Sequence, residues 1–120
     1  MGFPPSMNDA LSVFGSTATE IHCNYPDERE FVSLIMYNPG NDPFYFLRFP
    51  FLLPDENNYR LRRYRVLKQN IDSNKEIIIY DLIEVQTLNL PTFEAVSFIL
   101  NQWGVPINSF GDPRKCDAPL

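Results

Sequence analysis

The distribution of eleven prolines is the strongest constraint on how this 120-residue chain can fold. Proline removes a backbone N–H and obstructs the preceding helical turn, so prolines scattered along a chain disfavour long helices. The segments between them are short and aromatic, with ten Phe, six Tyr and one Trp in the chain. Because aromatic residues are enriched in strands, this composition predicts short strands accompanied by brief helices.

Two segments have the periodicity of short amphipathic helices. Residues 7–14 place apolar side chains at i, i+3, i+4 and i+7, with Ser6 suited to cap the helix and Gly15 suited to end it. Residues 91–103 carry a second apolar stripe, and Gly104 follows at the position where glycine commonly ends a helix. We therefore expect one helix near each end of the chain.

Five segments have the pattern of β-strands, and they are residues 17–25, 31–37, 44–53, 59–68 and 76–87. Short connections between consecutive strands favour an antiparallel meander. Residues 77–82 are apolar on both faces, as expected for a central strand. The prediction is an α+β fold: a five-stranded, mainly antiparallel sheet with the short N-terminal helix and the C-terminal helix packed on one face.

The length predicts a single domain over residues 1–120, with a flexible N-terminus at residues 1–5 and an irregular tail at 107–120. No apolar stretch reaches the roughly 18 residues of a membrane span, and no signal peptide is readable. Cys23 and Cys116 are the only cysteines, and reduced thiols are the rule in the cytosol. We expect a cytoplasmic protein without a membrane span.

Five of the ten basic residues lie within nine positions, although the net charge of the chain is −5. We call residues 59–68, which contain them, the basic run. Concentrated positive charge on an acidic protein marks a surface where an anionic partner can dock in a defined orientation. The basic run is therefore the first candidate for a functional site.

The alternation of apolar and polar residues breaks within the basic run. A β-bulge at residues 62–63 restores the alternation and lets the arginines project toward solvent together. The side chains that then share the opposite face are Tyr59, Leu61, Tyr64 and Val66. The sequence therefore predicts a cluster of arginine side chains on the solvent-facing side of this strand.

Three roles are open for the basic run. Its arginines can grip a carboxylate-rich protein surface, because guanidinium groups are bidentate donors. They can bind single-stranded nucleic acid, with tyrosine rings stacking on bases. They can also be structural and pair with acidic neighbours, for which the candidates are Asp55, Glu56, Glu76 and Glu84. The acidity of the whole chain weighs against nucleic acid, whose binding depends on phosphate neutralisation.

The aromatic segment at residues 44–53 is apolar on both faces, so it is either a buried strand or an exposed patch that contacts a partner. We include it as a hydrophobic anchor beside the basic run. The predicted binding residues are Arg60, Arg62, Arg63, Tyr64, Arg65 and Lys68 from the basic run and Tyr45 and Arg48 from the aromatic segment.

The sequence contains no pattern that supports catalysis. His22 is the only histidine, and its neighbour Cys23 points to the opposite side of a strand, so the two do not form a nucleophile–base pair. No spacing of zinc or calcium ligands and no glycine-rich phosphate loop is present. We therefore expect no catalytic residues, no metal and no cofactor.

These observations predict a non-enzymatic protein-binding module of the adaptor or inhibitor type, whose partner is another protein with an acidic surface. The alternative is a single-stranded nucleic-acid-binding protein that uses the same basic and aromatic residues. Self-association into a homo-oligomer is also open, because an exposed aromatic patch can pair with its own copy.

Overall fold

The structure is a computed structural model that describes residues 3–37 and 58–119. Within these ranges the chain has an α+β fold with an antiparallel sheet, as predicted. Its elements are α1 (Pro5–Phe14), β1 (Ser16–Ile21), β2 (Glu28–Tyr37), β3 (Asn58–Leu67), α2 (Lys68–Asp72), β4 (Ile83–Leu90) and α3 (Phe93–Trp103), with 3-10 turns at Ile79–Asp81, Ile107–Ser109 and Pro113–Lys115. The predicted strand at residues 44–53, with Tyr45 and Arg48, lies outside the described residues.

The predicted glycine stops end both longer helices. Gly15 follows α1 with a φ of 71°, and Gly104 follows α3 with a φ of 69°. Both lie in the left-handed region that glycine adopts without steric cost. The start of α1 differs from the prediction, because Ser6 lies inside the helix and its hydroxyl donates to the Phe110 carbonyl at 2.8 Å. Ser6 thus ties α1 to the C-terminal part of the chain instead of capping it.

The four described strands lie in the order β1-β2-β3-β4, and each pairs antiparallel with its neighbour. Pairing between β2 and β3 is unbroken from Glu28 opposite Leu67 to Tyr37 opposite Asn58. The predicted bulge at residues 62–63 is therefore wrong. The irregularity lies on the other side of β3, where three steps along β4 match two steps along β3 between Arg63 and Arg65.

The extra residue of this bulge belongs to β4. Arg63 pairs with Gln86 and Arg65 pairs with Ile83, while Glu84 between them has a φ of 49°. A residue in this conformation is typical of a bulge that bends one strand and leaves its partner regular. As a result, β3 keeps strict alternation, and its basic side chains are divided between the two faces of the sheet.

Both faces of the sheet are buried in part, which explains why β3 needs no bulge. The first face carries Leu61, and the second face carries Tyr64. The cluster on the first face consists of Met7, Leu11, Val32, Leu34, Leu61, Val96, Leu100, Val105 and Phe110. The cluster on the second face consists of Phe31, Tyr64 and Val66, with Ile71, Ile77, Leu82, Cys116 and Ala118 packed against it. Leu61 and Tyr64 therefore do not share a face, contrary to the sequence-based interpretation.

The predicted strand at residues 76–87 is confirmed only from Ile83 onward, and it is the outermost of the described strands rather than a central one. Its first half forms a turn, and only β4 from Ile83 onward pairs with β3. The turn is stabilised by Asp81, whose carboxylate accepts hydrogen bonds from the backbone N–H of Ile78 at 3.0 Å and from Lys75 at 2.9 Å, which lowers the pKa of Asp81. The apolar run reflects packing of Ile77 onto the second face rather than a central position in the sheet.

Within residues 3–37 and 58–119, no helix is long and apolar enough to cross a membrane.

Leu61→Ala and Tyr64→Ala test the burial of both faces. Each side chain has no solvent-exposed surface, so each substitution should leave a cavity and lower the free energy of unfolding by about 2–5 kcal/mol. Chemical denaturation monitored by circular dichroism measures the two losses. A Tyr64→Ala protein as stable as the unsubstituted one would contradict the buried second face.

Candidate functional site

The structure separates the residues of the basic run into three locations. Register places Arg63 and Arg65 on the first face of the sheet and Arg60 and Arg62 on the second. Lys68 follows the strand as the first residue of α2, roughly 20 Å along the chain from Arg62 at about 3.3 Å per residue. The run is therefore not one outward-facing patch, contrary to the prediction.

Arg65 is the most enclosed arginine of the run, with a side chain only 12% exposed. Its Nε donates to Glu28 at 2.9 Å and its Nη1 donates to Glu84 at 3.1 Å. The guanidinium also lies over the Tyr25 ring, 4.1 Å from the centroid. Desolvation alone would lower the pKa of Arg65, but the hydrogen bond to Glu28 and the charges of both carboxylates outweigh it and raise the pKa. Arg65 is held on all sides by its own chain.

Arg63 is paired in the same manner one step along the face. Its Nε donates to Glu30 at 2.8 Å, and its guanidinium lies over the Trp103 ring of α3 at 5.5 Å from the centroid. Glu30 is only 15% exposed, so this pair is partly shielded from water. An Arg over an aromatic ring gains cation–π attraction in addition to the ion pair. Arg63 therefore connects β2, β3 and α3.

Arg63 and Arg65 line a groove of about 550 Å³ on the first face. The lining residues are Asn24, Tyr25, Glu30, Arg63, Arg65, Glu84, Val85, Gln86 and Trp103. Its charged groups compensate one another, so the groove offers aromatic surface and polar groups rather than net positive charge.

Arg62 has a different environment on the second face. Its cross-strand neighbours are Ser33 and Thr87, neither of which is acidic. Its Nε donates to the Thr87 hydroxyl at 3.3 Å, so the guanidinium reaches over β4 toward the edge of the sheet. Arg60 lies on the same face and is engaged in an interaction of its own. In the part of the chain that the structure describes, Arg62 has no carboxylate within ion-pair distance.

Tyr64 is not a surface contact, contrary to its inclusion among the predicted binding residues. Its side chain is fully buried, with its ring centroid 5.9 Å from that of Phe31. A ring in this position packs the core and is not accessible to a base or to a partner's side chain. The two predicted contacts in the aromatic segment, Tyr45 and Arg48, lie outside the described residues.

The two edges of the described sheet differ. At the β1 edge, Ala18 exchanges backbone hydrogen bonds with Gly111 at 3.2 and 3.1 Å, and the Thr17 hydroxyl also donates to the Gly111 carbonyl. The C-terminal part of the chain thus covers this edge. At the β4 edge, residues 84–89 are all exposed. No other described strand pairs with β4 on its outer side, and this is the edge that Arg62 approaches.

Sequence reasoning missed the carboxylates that pair with the basic run. Glu28 and Glu30 precede the strand predicted at residues 31–37, but in the structure they belong to the first part of β2. The signal that could have located them is their spacing: in an antiparallel pair, acids at i and i+2 on one strand face bases at i and i+2 on the next. Of the four acidic neighbours proposed from sequence, Glu84 does contact Arg65. Tyr25 and Trp103 carried no comparable signal, because their contacts depend on the tertiary fold.

The remaining chemically reactive side chains do not assemble into a centre. Cys23 and Cys116 are both free thiols, and His22 is exposed just after β1. Burial raises the pKa of the Cys116 thiol. Among residues 3–37 and 58–119, no group of three or more His, Cys, Asp or Glu side chains could hold a metal ion.

Comparison with known proteins finds no matching family model, no matching curated protein and no matching solved structure.

Arg63→Ala and Arg62→Ala test the division of the basic run. Loss of Arg63 leaves the partly buried Glu30 without its partner, so the free energy of unfolding should fall by about 1–3 kcal/mol. Loss of Arg62 removes one hydrogen bond to a hydroxyl and leaves no charged group without a partner among the described residues, so we expect a change within about 0.5 kcal/mol. Urea unfolding measures the free energy of unfolding of both variants. Equal decreases would contradict the different roles assigned to Arg62 and Arg63.

The thiol of Cys116 should react slowly in the folded protein. A raised pKa leaves less thiolate at a given pH, and thiolate is the nucleophile. In a Cys23→Ser variant at pH 8, alkylation by iodoacetamide should therefore be several-fold slower than in the same variant in urea. Equal rates, followed by mass spectrometry, would show that Cys116 is not protected.

Proposed function

We propose that this chain is a non-enzymatic protein-binding module, of the adaptor or inhibitor type, that docks an acidic protein surface at the β3–β4 side of its sheet. The observation that carries the proposal is Arg62, a guanidinium that extends over Thr87 toward an open strand edge. A charged fork in this position binds carboxylates bidentately and orients the partner.

The pairing of the other arginines supports a local contact rather than a broad basic surface. Four of the other arginines have a carboxylate of the same chain within 3.1 Å, in the pairs Arg29–Glu20, Arg63–Glu30, Arg65–Glu28 and Arg114–Asp112. The charge of these four is already compensated. On the β3–β4 side, Arg62 is directed toward β4 near a groove whose own charges balance, which suits a protein surface.

The groove on the first face supplies the apolar part of the proposed contact. Tyr25 and Val85 are 48% and 37% exposed, and Trp103 is half-buried beside Arg63. Rings and arginines held in place by neighbouring groups are favoured contact residues at protein interfaces, because little conformational freedom is lost on binding. We propose that an apolar side chain of the partner occupies this groove.

The division of the basic run argues against the nucleic-acid alternative. Binding to phosphates relies on several uncompensated cations, whereas Arg63 and Arg65 are paired with glutamates. Stacking would need an accessible ring, and Tyr64 is buried. Single-stranded oligonucleotides at low salt serve as a second probe. Binding to them through Arg62 would favour the nucleic-acid function over the protein-binding function.

We propose the cytoplasm as the compartment in which the module acts. Support comes from Cys23 and Cys116, which are both free, since paired cysteines are typical of secreted domains and free thiols of reducing compartments.

Affinity purification from the native host, with the unsubstituted protein and two charge-reversal variants as bait, tests the proposal. Arg62→Glu should reduce the recovery of an acidic partner by about tenfold or more, since it replaces attraction by repulsion. Lys115→Glu is the matched control, because it reverses an exposed charge in the C-terminal turn and should leave recovery unchanged.

Circular dichroism should show the same fold for both variants. Recovery of the same partner at the same level with Arg62→Glu would contradict the proposed site. Retention of a single-stranded oligonucleotide by the unsubstituted protein, lost in Arg62→Glu and weakened steeply by salt, would favour the nucleic-acid function instead.

A further inference from the structure

We infer that the partner contributes an extended acidic segment, which adds to the sheet as a strand beside β4 and places a carboxylate on Arg62. This inference rests on the proposed function and specifies the form of the partner: a strand rather than a helix or a folded surface. Strand addition to an open sheet edge is a recurring way of binding extended peptides, with backbone hydrogen bonds giving affinity and side-chain pockets giving selectivity.

The first support is the contrast between the two edges. Gly111 bonds to Ala18 and thereby occupies part of the β1 edge. Every residue of β4 from 84 to 89 is exposed, including Val85 and Leu88 at 37% and 36%. An exposed strand edge presents unpaired N–H and C=O groups that another strand can satisfy. β4 is thus the edge at which addition can occur.

The second support is the composition of β4. Proteins usually protect open edges with lysine, proline or bulges that bend the strand away. Residues 85–90 read Val-Gln-Thr-Leu-Asn-Leu and contain neither a charged side chain nor proline. The single bulge lies at the start of β4, where Glu84 turns toward Arg65. The rest of the strand keeps regular pairing with β3, and within residues 3–37 and 58–119 no further strand pairs with its outer side.

The third support is the position of the charge beside this edge. Arg62 crosses from β3 to Thr87 on β4, and neighbouring strands lie about 4.8 Å apart, so its guanidinium is directed at the next strand position. Nε is used in the bond to Thr87, and a guanidinium has further N–H donors on its two Nη atoms. A carboxylate opposite Thr87 on an added strand can accept them.

Alternation along a strand then specifies the neighbouring residues of the partner. If its acidic residue lies opposite Thr87 on the second face, the residues on either side of it point to the first face. On that face the groove next to Gln86 and Val85 is lined by Trp103 and Tyr25. The segment that fits therefore alternates an acidic side chain with apolar or aromatic ones.

A second copy of this chain fits the same edge less well. A β4 strand paired with its own copy would bring only uncharged side chains from residues 85–90 to Arg62. The one carboxylate in β4 belongs to Glu84, which already pairs with Arg65. Self-pairing therefore leaves Arg62 without a counter-charge, and we commit to an acidic partner strand.

The test uses a synthetic peptide as probe, about eight residues long and blocked at both ends, with aspartate alternating with valine and phenylalanine. The matched probe replaces each aspartate by asparagine. Amide hydrogen exchange followed by NMR should show slower exchange at β4 on addition of the acidic probe. Binding of the asparagine probe should be about two- to fivefold weaker, the range expected for an exposed ion pair.

Substitutions at Thr87 isolate the charge from the backbone. Thr87→Asp places a carboxylate beside Arg62 within the chain, so it should weaken binding of the acidic probe. Thr87→Asn introduces a side chain of the same shape as aspartate without the charge, so it should leave that binding unchanged. The Arg62→Glu variant should no longer bind the acidic probe, and it should bind a probe in which lysine replaces each aspartate. If Thr87→Asp does not fold, Arg62→Gln gives the same test, because it removes the cation and keeps a polar side chain.

The outcomes separate the inference from the proposed function. If an acidic partner depends on Arg62 but neither it nor the probe slows exchange at β4, strand addition is overturned and the proposed function stands. If the acidic and asparagine probes bind equally, the charge recognition at Arg62 is overturned.

Slow amide exchange at β4 without any probe, in a protein whose measured mass is that of a dimer, would assign the edge to a second copy and overturn the inference. If the acidic probe binds as expected while Arg62→Glu leaves partner recovery unchanged, the edge accepts an acidic strand but the partner does not use it, and both the proposed function and the inference about the partner are overturned.

Discussion

The unbroken antiparallel pairing of β2 with β3 determines the chemistry of this protein's surface. It places Arg63 opposite Val32 and Arg65 opposite Glu30, so that Glu30 and Glu28 reach the two arginines along one face. The two glutamates therefore neutralise Arg63 and Arg65, which the sequence alone shows as part of a basic cluster. Because successive side chains alternate, the same register sends Arg62 to the opposite face, where no cross-strand neighbour is acidic. One register thus produces both a structural pair and a directed cation.

Burial on both faces of the sheet maintains this division. Leu61 and Tyr64 are both fully buried, yet they belong to separate clusters on opposite faces. A slip of one residue in β3 would expose both and bury arginines in their place, at a cost of several kcal/mol for each unpaired charge. The register is therefore fixed by apolar packing, and the ion pairs form where that register places them. The bulge is accommodated in β4, whose exposed residues can bend without disturbing either cluster.

The sequence was sufficient for the features that depend on local rules. Glycine stops at Gly15 and Gly104 ended both longer helices as predicted, and the antiparallel α+β class followed from short strands with short connections. The features that failed depend on tertiary contacts. The broken alternation at residues 62–63 indicates a strand buried on two faces as readily as it indicates a bulge. Likewise, the apolar run before β4 packs on the second face through Ile77 instead of forming a central strand. Periodicity within one segment does not distinguish these cases, because what covers each face comes from distant parts of the chain.

The same limitation applies to the site. Charge clustering predicted one patch on a single strand, but in the structure the five cations have different environments. Arg65 is 12% exposed and held by two glutamates and a tyrosine ring, so releasing it to a ligand would break contacts that its own chain already satisfies. Arg62 gives up only a hydrogen bond to a hydroxyl. A ligand therefore gains most at the arginine with the weakest internal partner, and that residue lies beside β4, the outermost of the described strands, which is exposed at residues 84–89. The proposed partner contact and the proposed strand addition concern the same place, because the guanidinium of Arg62 has N–H donors beyond the one bonded to Thr87.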